Sequence, residues 1–292
     1  MDSERALNAA AERLAGAQRL LIGTGAGMSA DSGIPTYRRP GQTAWRDYGQ
    51  LEGLPLALPR KAEDLATPQA FEEQPEVAWA LLEWKRRRIA AAAPHEGYAA
   101  LHGIAAGAPH AFVQTTNVDG MHLRAGWPAA RLHEVHGSFW RLQCSGPCSR
   151  TWWVEERVPL AEVDAEACRA TSWPRCAGCG RTARPHAVLF ADLDYVGHLA
   201  AEEARRAFHA AGPDVLLVVG ESGVIPTHAF DARTLQRERG TFVIDINPDP
   251  TTKVGRLADL QLPLGARDGL VELYRLLRQG ARSADGLAEG RG

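Results

Sequence analysis

The chain lacks any long apolar run and any strong excess of one charge. No stretch approaches the ~20 consecutive apolar residues that a membrane helix needs. Its 33 basic and 35 acidic side chains give a formal net charge of −2, so no broad field attracts nucleic acid or an anionic membrane. The opening residues are charged rather than apolar, which is not typical of a signal peptide. These absences favour a cytoplasmic protein with neither a nucleic-acid nor a membrane partner.

Cysteine is also scarce, and its placement is informative. Only five of the 292 residues are cysteines, and four of them form two close pairs, Cys144 with Cys148 and Cys176 with Cys179. An odd count in this pattern favours reduced thiolates over a disulfide framework. Four thiolates fill a tetrahedral shell, which favours one structural zinc ion per chain rather than a catalytic one. Cys168 is left over, either as a free thiol or as a substitute ligand.

Predicted strands and helices alternate along most of the chain. Apolar strands are expected at residues 19–22, 111–115, 214–220 and 241–246. Continuous apolar strands are typical of a parallel sheet that is buried on both faces. Helices are expected at residues 2–18 and 270–277. The sequence therefore predicts an α/β fold with a Rossmann-type, doubly wound parallel sheet.

Two insertions are expected to interrupt this sheet. Residues 39–94 are interpreted as a helical insertion, with a helix over 76–92, and residues 141–185, which hold the cysteines, as a small zinc-binding module. Residues 281–292 are rich in glycine, alanine and charge and are expected to be disordered. The Rossmann-type domain then consists of three segments, residues 1–38, 95–140 and 186–280.

A glycine-rich turn follows the first predicted strand. Residues 25–30 read GAGMSA, which fits the G-x-G-x-x-G/A pattern whose backbone amides approach a pyrophosphate at the start of a helix. The same pattern can also form a tight strand-to-helix turn that binds nothing. The acidic ribose ligand expected about 20 residues later in a dehydrogenase is missing, because the insertion begins there. Ordinary hydride transfer is therefore a poor fit.

The residues after this turn are more specific. GAGMSADSGIPTYR at residues 25–38 resembles the GAGxSxxSGIPxFR signature of the sirtuin (Sir2) family, with Tyr37 in place of phenylalanine. Further sirtuin-like motifs follow in the family's order, namely TNVDGMH at 116–122, EVHGS at 134–138, RPHAVLF at 184–190, GES at 220–222 and IN at 246–247. Six ordered motifs across most of the chain make the resemblance specific.

This resemblance implies a protein lysine deacylase that consumes NAD and releases nicotinamide and O-acyl-ADP-ribose, a transferase of the sirtuin type acting on an acyl-lysine protein. In the family, the acyl carbonyl oxygen attacks the ribose carbon that bears nicotinamide. His136 matches the general base that acts on a ribose hydroxyl, a role that suits a pKa near neutrality. Asn117 matches the asparagine that holds the ribose and a water, and Asp119 the aspartate that recognises the nicotinamide carboxamide.

The same motifs imply the remaining contacts to NAD. An aromatic ring at Tyr37 would screen the reactive ribose from water, and Ser222 and Asn247 match phosphate and ribose contacts across the crevice. The acyl-peptide cleft would lie between the zinc module and the Rossmann-type domain. The NAD-contacting residues implied by the resemblance are Gly25, Ala26, Gly27, Ser29, Ile34, Pro35, Tyr37, Arg38, Thr116, Asn117, Asp119, Gly220, Ser222 and Asn247.

Three departures from the family pattern concern the cofactor and the peptide. Thr116 replaces a glutamine, which shortens a ribose contact. Glu221 replaces the threonine of GTS, which brings a carboxylate near the pyrophosphate unless the side chain turns away. Residues 191–192 are Ala-Asp where Gly-Glu is usual, which alters the strand that is expected to pair with the substrate. That strand contributes Val188, Leu189 and Phe190.

A fourth departure concerns the acyl group. Relatives that remove succinyl or malonyl groups carry a Tyr-x-x-Arg pair, which aligns here with Leu82 and Lys85. A lysine is a point charge and lacks the bidentate fork of arginine. We therefore expect a pocket for neutral acyl groups, with Leu82 and Lys85 in its wall. Alternatively, Leu82 only packs in the core of its helix.

Two other functions stay open at this point. A sirtuin-like ADP-ribosyltransferase or NAD glycohydrolase shares the first chemical step, although His136, together with Asn117 and Asp119, favours deacylation. A zinc-stapled NAD-binding module without turnover is the other alternative. The changes at Thr116 and Glu221 keep this second alternative open.

Overall fold

The computed structural model describes residues 3–36 and 62–289, and its centre is a six-stranded parallel sheet. The chain adds strands on one side of β1 and then returns to add strands on the other side, so the strand order reverses beside β1. This arrangement confirms the predicted α/β fold. In spatial order, the strands are β11 (Leu260–Leu262), β10 (Phe242–Ile246), β9 (Val215–Val219), β1 (Arg19–Thr24), β2 (His110–Thr115) and β3 (Leu132–Glu134).

Helices cover both faces of the sheet, and two single-turn helices, α2 (Gly27–Ala30) and α7 (Met121–Arg124), follow β1 and β2. One face packs against α1 (Ser3–Ala15), α6 (Glu96–Ala106) and α10 (Ala266–Glu289), and the other against α8 (Leu199–Ala210) and α9 (Thr227–Arg239). Successive side chains of a strand point to opposite faces. Leu20 and Ile22 of β1 accordingly join the first cluster and Leu21 the second. This burial on both faces explains why the central strands are continuously apolar.

A helical segment, α3 (Ala62–Leu65), α4 (Pro68–Glu73) and α5 (Pro75–Ala91), precedes α6. The Thr67 side chain caps α4 by accepting from the Ala70 amide at 3.1 Å, and α5 agrees with the helix predicted over residues 76–92 to one residue at each end. The Trp79 indole donates to the Ala183 carbonyl at 2.9 Å. Arg86, fully buried, donates to the carbonyls of Phe139, Glu155 and Arg157. Helix α5 is thereby bonded to the cysteine-containing module.

That module consists of short antiparallel strands. Strands β4 (Gly137–Cys144), β5 (Trp152–Val154) and β8 (Ala183–Ala187) form one sheet, and β6 (Glu162–Asp164) pairs with β7 (Arg169–Ser172). The register between β4 and β8 shifts between Ser138 and Leu142. Strand β4 runs unbroken across the predicted domain boundary at residue 141. The module is therefore joined to the sheet domain by two adjacent, hydrogen-bonded strands.

The last helix differs from the sequence prediction. It was expected at residues 270–277, with disorder from 281, but α10 extends from Ala266 to Glu289. Once its first turns are fixed against α1 and α6, each further residue adds a hydrogen bond without a new nucleation step. Among residues 3–36 and 62–289, no helix combines the length and the apolar character needed to cross a membrane.

Candidate active site

A cleft opens at the carboxyl ends of β1, β2, β9 and β10, where the strand order reverses. Parallel sheets bind ligands at such a crevice. Its walls come from the segments that leave these four strands, together with α5 and the end of β8. The cavity measures about 790 Å³, which lies within the range of roughly 300–1,000 Å³ that is usual for cofactor and ligand pockets.

Backbone forms one wall of this cleft, because two turns approach each other too closely for any residue with a side chain. The Gly27 amide donates to the Gly220 carbonyl at 2.9 Å, and a Cβ on Gly27 would lie 2.7 Å from the Gly220 Cα. Gly220 itself has a φ of +65°, and a Cβ there would lie 2.4 Å from the Met28 amide nitrogen. The turn after β1 and the turn after β9 can therefore meet only as glycines, which exposes backbone to a ligand.

Asn117, Ser29 and Asp119 form one hydrogen-bonded unit in the cleft. The Asn117 amide donates to the Gly25 carbonyl at 2.9 Å and to Ser29 Oγ at 3.1 Å. Ser29 Oγ donates to Asp119 Oδ2 at 2.6 Å, and the other Asp119 oxygen accepts from the Met121 amide at 2.9 Å. Burial raises the pKa of Asp119, while these hydrogen bonds act in the opposite direction. The polar groups of all three residues are thus held in fixed directions.

His136 lines the cavity just after β3. Its Nδ1 lies 3.1 Å from the Thr116 carbonyl oxygen. A carbonyl can only accept, so Nδ1 carries the hydrogen and Nε2 is left as the acceptor. Burial lowers the pKa of His136, whereas the nearby Glu221 charge raises it. A neutral imidazole with a free Nε2 is the form that a general base requires.

The segment after β8 lies beside this histidine. Val188, Leu189 and Phe190 all line the cavity. The Val188 amide donates to the His136 carbonyl at 2.9 Å, and the Phe190 amide to the Ala66 carbonyl at 2.8 Å. The Val188 side chain remains 42% exposed. This segment is therefore fixed at both ends, and Val188 remains accessible beside the cleft.

The Ala-Asp pair at residues 191–192 stabilises the end of this segment. Asp192 accepts from Arg184 at 2.8 Å, with both side chains fully buried, and from the Leu189 amide at 3.2 Å. Ala191 adopts a φ of +52°, a region that a residue with a Cβ enters only with strain. The buried pair with Arg184 holds the turn that follows the substrate-facing segment.

Only one of the two residues predicted for the acyl pocket lines the cavity. Leu82 is 4% exposed, belongs to the main hydrophobic core and lies outside the set of residues that line the cavity. Lys85 does line the cavity, and its Nζ lies 5.9 Å from the centre of the Phe139 ring. The alternative in which Leu82 only packs in its helix matches this geometry. One turn after Lys85, Ile89 reaches the cavity as well.

Most of the other predicted NAD contacts come together in the cleft. Gly25 lies behind the cavity wall, where a Cβ would meet Glu221 Oε2 at 2.6 Å. Tyr37 and Arg38 fall outside the residues that the structure describes. The predicted NAD-contacting residues that line the cavity are Ala26, Gly27, Ser29, Ile34, Pro35, Thr116, Asn117, Asp119, Gly220, Ser222 and Asn247.

The loop that follows β10 also lines the cavity, although no motif in the sequence predicted it. Thr251, Thr252, Lys253 and Arg256 line the cavity beyond Asn247. Lysine and arginine are the side chains that attract the charge of a phosphate. These four residues directly follow a predicted buried strand of a parallel sheet, where ligand-binding loops lie, and that position could have identified them.

The two cysteine pairs converge at the tip of the module. Cys144 Sγ lies 3.5 Å from Cys179 Sγ, and Cys148 Sγ lies 3.6 Å from Cys176 Sγ. All four sulfur atoms lie within 4.8 Å of one another. Zinc–sulfur bonds of about 2.3 Å in a tetrahedron require sulfur–sulfur distances of about 3.8 Å, so this donor set fits zinc. Cys168, buried beside β7, does not belong to the cluster.

Comparison with known proteins agrees with this geometry. A model of the Sir2 family matches residues 25–227. The chain is 35% identical over 257 residues to an NAD-dependent protein deacylase of Aquifex aeolicus, covering 88% of this chain and 94% of that protein. It is 34% identical over 279 residues to NAD-dependent protein deacylase 2 of Pyrobaculum aerophilum, covering 95% and 98%.

Solved structures resemble the chain over a similar length. A Sir2 homologue in complex with NAD superposes with a TM-score of 0.75 at 28% identity, covering 93% of this chain and 94% of that one. A mutant Sir2 homologue bound to ADP-ribose gives a TM-score of 0.75 at 28% identity, covering 94% and 97%. The ordered motifs, the reversed sheet order and the cysteine cluster thus belong together, and the chain is a member of the Sir2 family.

Proposed function

We propose that this protein is an NAD-dependent protein lysine deacylase that releases nicotinamide and O-acyl-ADP-ribose. The observation that carries the proposal is the position of His136. His136 lines the glycine-walled cleft with Nε2 left as an acceptor, and its carbonyl accepts from the amide of Val188, where the accessible segment begins. A candidate general base, a glycine-walled crevice and an accessible segment after β8 thus meet at one place. The relatives named as deacylases support the same activity.

The residues of the cleft fit NAD. The backbone of Gly27 and Gly220 forms a cradle that any Cβ would fill, as the close approach of a pyrophosphate requires. Lys253 and Arg256 add positive charge to the same cavity, and Asn247 lies at the end of β10. When bound, NAD supplies a ribose carbon that is activated by its nicotinamide leaving group.

The chain's own groups then orient the substrates and move a proton. The Asn117 side-chain amide donates to Gly25 and Ser29, so its Oδ1 is held in one direction and would contact the ribose. Asp119 is held in the same unit, where it would receive the nicotinamide carboxamide. His136 Nε2 accepts the proton of a ribose hydroxyl while its Nδ1 hydrogen stays on the Thr116 carbonyl. A positioned base of this kind contributes roughly 10²–10⁴ in rate.

The protein substrate would bind as an extended segment beside residues 188–190. Addition of a strand to an exposed segment recognises backbone, and a pocket then selects one side chain. Lys85 lies beside Phe139, and the cavity wall also contains the apolar side chains of Ile34, Ile89 and Val118. We infer that the acyl group is neutral, because apolar walls favour methylene groups and offer no fork for a carboxylate.

The cysteine cluster would hold a structural zinc ion. Its four thiolates would fill the coordination shell, which leaves no open position for catalysis. A reducing compartment such as the cytoplasm suits these thiolates, because an oxidising one would favour disulfides.

Nicotinamide release, measured with and without an acetyl-lysine peptide, tests the proposal. Release that depends on the peptide, with O-acetyl-ADP-ribose found by mass spectrometry, is the expected result. Release that proceeds equally without peptide indicates an NAD glycohydrolase, and ADP-ribosylated protein indicates a transferase. Absence of release under conditions where NAD binds would indicate a binding module and would contradict the proposed activity.

A further inference from the structure

The Glu221 carboxylate is buried and hydrogen-bonded at the wall of the cleft, which the residue also lines. The residue is 7% exposed. Its Oε2 accepts from Thr116 Oγ1 at 2.9 Å, and its Oε1 accepts from the Gly223 amide at 2.9 Å. The Thr116 hydroxyl also lies 3.3 Å from the Thr24 carbonyl, but its shorter contact is the one to the charged carboxylate. The two residues that depart from the family motifs at 116 and 221 therefore contact each other.

A fully buried histidine completes the arrangement. His228 Nδ1 lies 3.1 Å from Glu221 Oε2, and its Nε2 lies 3.3 Å from the Gln114 carbonyl oxygen. Both ring nitrogens face acceptors, so only the doubly protonated imidazolium satisfies both contacts. Glu221 and Asp231 raise the pKa of His228 against its burial, and the pKa of Glu221 is lowered in turn by His228. The other titratable groups that face the ring are His136 and His209.

The end of β1 is shaped around this ion pair. A Cβ on Gly23 would lie 2.4 Å from His228 Cδ2, and one on Gly25 would lie 2.6 Å from Glu221 Oε2. Neither glycine has a positive φ, so backbone conformation does not require them. They provide space, Gly23 within β1 and Gly25 in the turn directly after it, for the imidazole and the carboxylate.

The ion pair reaches the catalytic histidine through one residue. Thr116 donates its hydroxyl to Glu221, and its carbonyl accepts from His136 Nδ1. The Glu221 carbonyl in addition accepts from the Asn247 side-chain amide at 3.0 Å. Both the hydroxyl and the carbonyl of Thr116 are thereby fixed, and the tautomer of His136 depends on the second of them.

We propose that Glu221 and His228 are positioning residues that hold Thr116, and through its carbonyl fix the orientation and the tautomer of His136. This inference rests on the proposed deacylase function. None of the residues in this arrangement needs to contact substrate in order to play this role. They are Thr116, Glu221, His228, Gly23 and Gly25. Loss of such a contact should lower kcat more than NAD affinity, because the contact aligns the base His136 rather than a group that binds NAD.

The test compares Thr116→Val, which removes only the hydroxyl, with Thr116→Ser, which keeps it. Thr116→Val and Glu221→Gln are expected to lower kcat about 10- to 100-fold, with KM for NAD changed only a few-fold, and Thr116→Ser is expected to retain kcat. In Glu221→Gln, the acidic limb of the kcat–pH profile should also move to lower pH, because a negative charge near His136 is lost. Glu238→Gln, an exposed carboxylate on α9 that contacts Arg237, serves as the matched control with unchanged kcat.

A second readout does not depend on turnover. Nitrogen-15 NMR of the His136 ring in the full-length protein reports which nitrogen carries the hydrogen. The expected result is one tautomer, protonated at Nδ1, in the unaltered chain and in Thr116→Ser, and a mixture in Thr116→Val. Wild-type kcat together with a single tautomer in Thr116→Val and Glu221→Gln would overturn the inference. Absence of deacylation in the unaltered chain would instead contradict the proposed function, and the NMR result would still decide this one.

Discussion

At the scale of single residues, His136 carries the most direct prediction. His136→Ala is expected to lower deacylation roughly 10²–10⁴-fold, the usual contribution of a positioned base. NAD affinity should change little, since the backbone cradle around Gly27 and Gly220 is untouched. Turnover of an acetyl-lysine peptide and NAD titration measure the two effects. His110→Ala, an exposed histidine at the start of β2, is the matched control, and near-normal turnover in His136→Ala would remove His136 from the mechanism.

Lys85 carries a prediction about substrate choice. Acetyl- and butyryl-lysine peptides are expected to exceed a succinyl-lysine peptide in kcat/KM, because each buried methylene contributes up to ~0.8 kcal/mol against apolar walls. The comparison uses one peptide sequence with three acyl groups. Lys85→Met should leave this order unchanged. A preference for succinyl-lysine that Lys85→Met abolishes would show instead that Lys85 recognises an acid.

At the scale of elements, the zinc module should depend on its metal. The purified protein is expected to contain about one zinc per chain, and Cys176→Ser should lower both the zinc content and the melting temperature, because a structural metal contributes folding free energy directly. Elemental analysis and thermal unfolding measure these quantities. Cys168→Ser, outside the four-sulfur cluster, should keep the zinc. A metal-free protein, or an unchanged melting temperature in Cys176→Ser, would argue against the site.

Two helix glycines differ in what surrounds them. A Cβ on Gly103 of α6 would lie 2.2 Å from the Tyr274 ring of α10, whereas a Cβ on Gly280 of α10 would meet nothing within 4 Å. Alanine stabilises an open helix position by up to ~1 kcal/mol relative to glycine. Gly280→Ala should therefore raise the free energy of unfolding, and Gly103→Ala should lower it by forcing α6 and α10 apart. Denaturant titration of both variants checks the pair, and equal effects would contradict the close packing.

At the scale of the whole molecule, Asp245 links stability to pH. It is 1% exposed on β10, and its Oδ1 has no hydrogen-bond partner in the described part of the chain. Burial, with Glu221 and Asp249 nearby, raises the pKa of Asp245 from 3.8 to about 7. The stabilising effect of the neutral form is complete below the unfolded pKa and is lost as the pH rises through about 7.

Asp245→Asn removes this dependence. The variant should gain stability over the unaltered chain between pH 4 and pH 8, by an amount on the order of 4 kcal/mol in total. Melting temperatures across that range measure the difference, with exposed Asp268→Asn as a control for net charge. A stability difference that does not vary with pH would place the Asp245 pKa near its ordinary value.

Sequence patterns predicted those parts of the molecule that are local. Strands β1, β9 and β10 are continuous apolar runs, and the cysteine pairs are close in sequence, so each was recognisable by itself. Strands β3 and β11 have three residues each, too few for any periodicity. The Glu221 carboxylate accepts from Thr116, 105 positions away, and on α5 Leu82 packs in the core whereas Lys85 lines the cavity. Such features follow from tertiary packing, which local patterns do not report.

The central position of β1 has a consequence for synthesis of the chain. The backbone amide of Arg19 donates to Asp214, its partner 195 positions later, and β1 pairs with β9 along its length. At translation rates of about 5–20 residues per second, the apolar edge of β1 waits roughly 10–40 seconds for that partner. An unpaired apolar edge is a site of aggregation. We therefore expect a lower synthesis temperature, which slows aggregation, to raise the soluble yield of this chain.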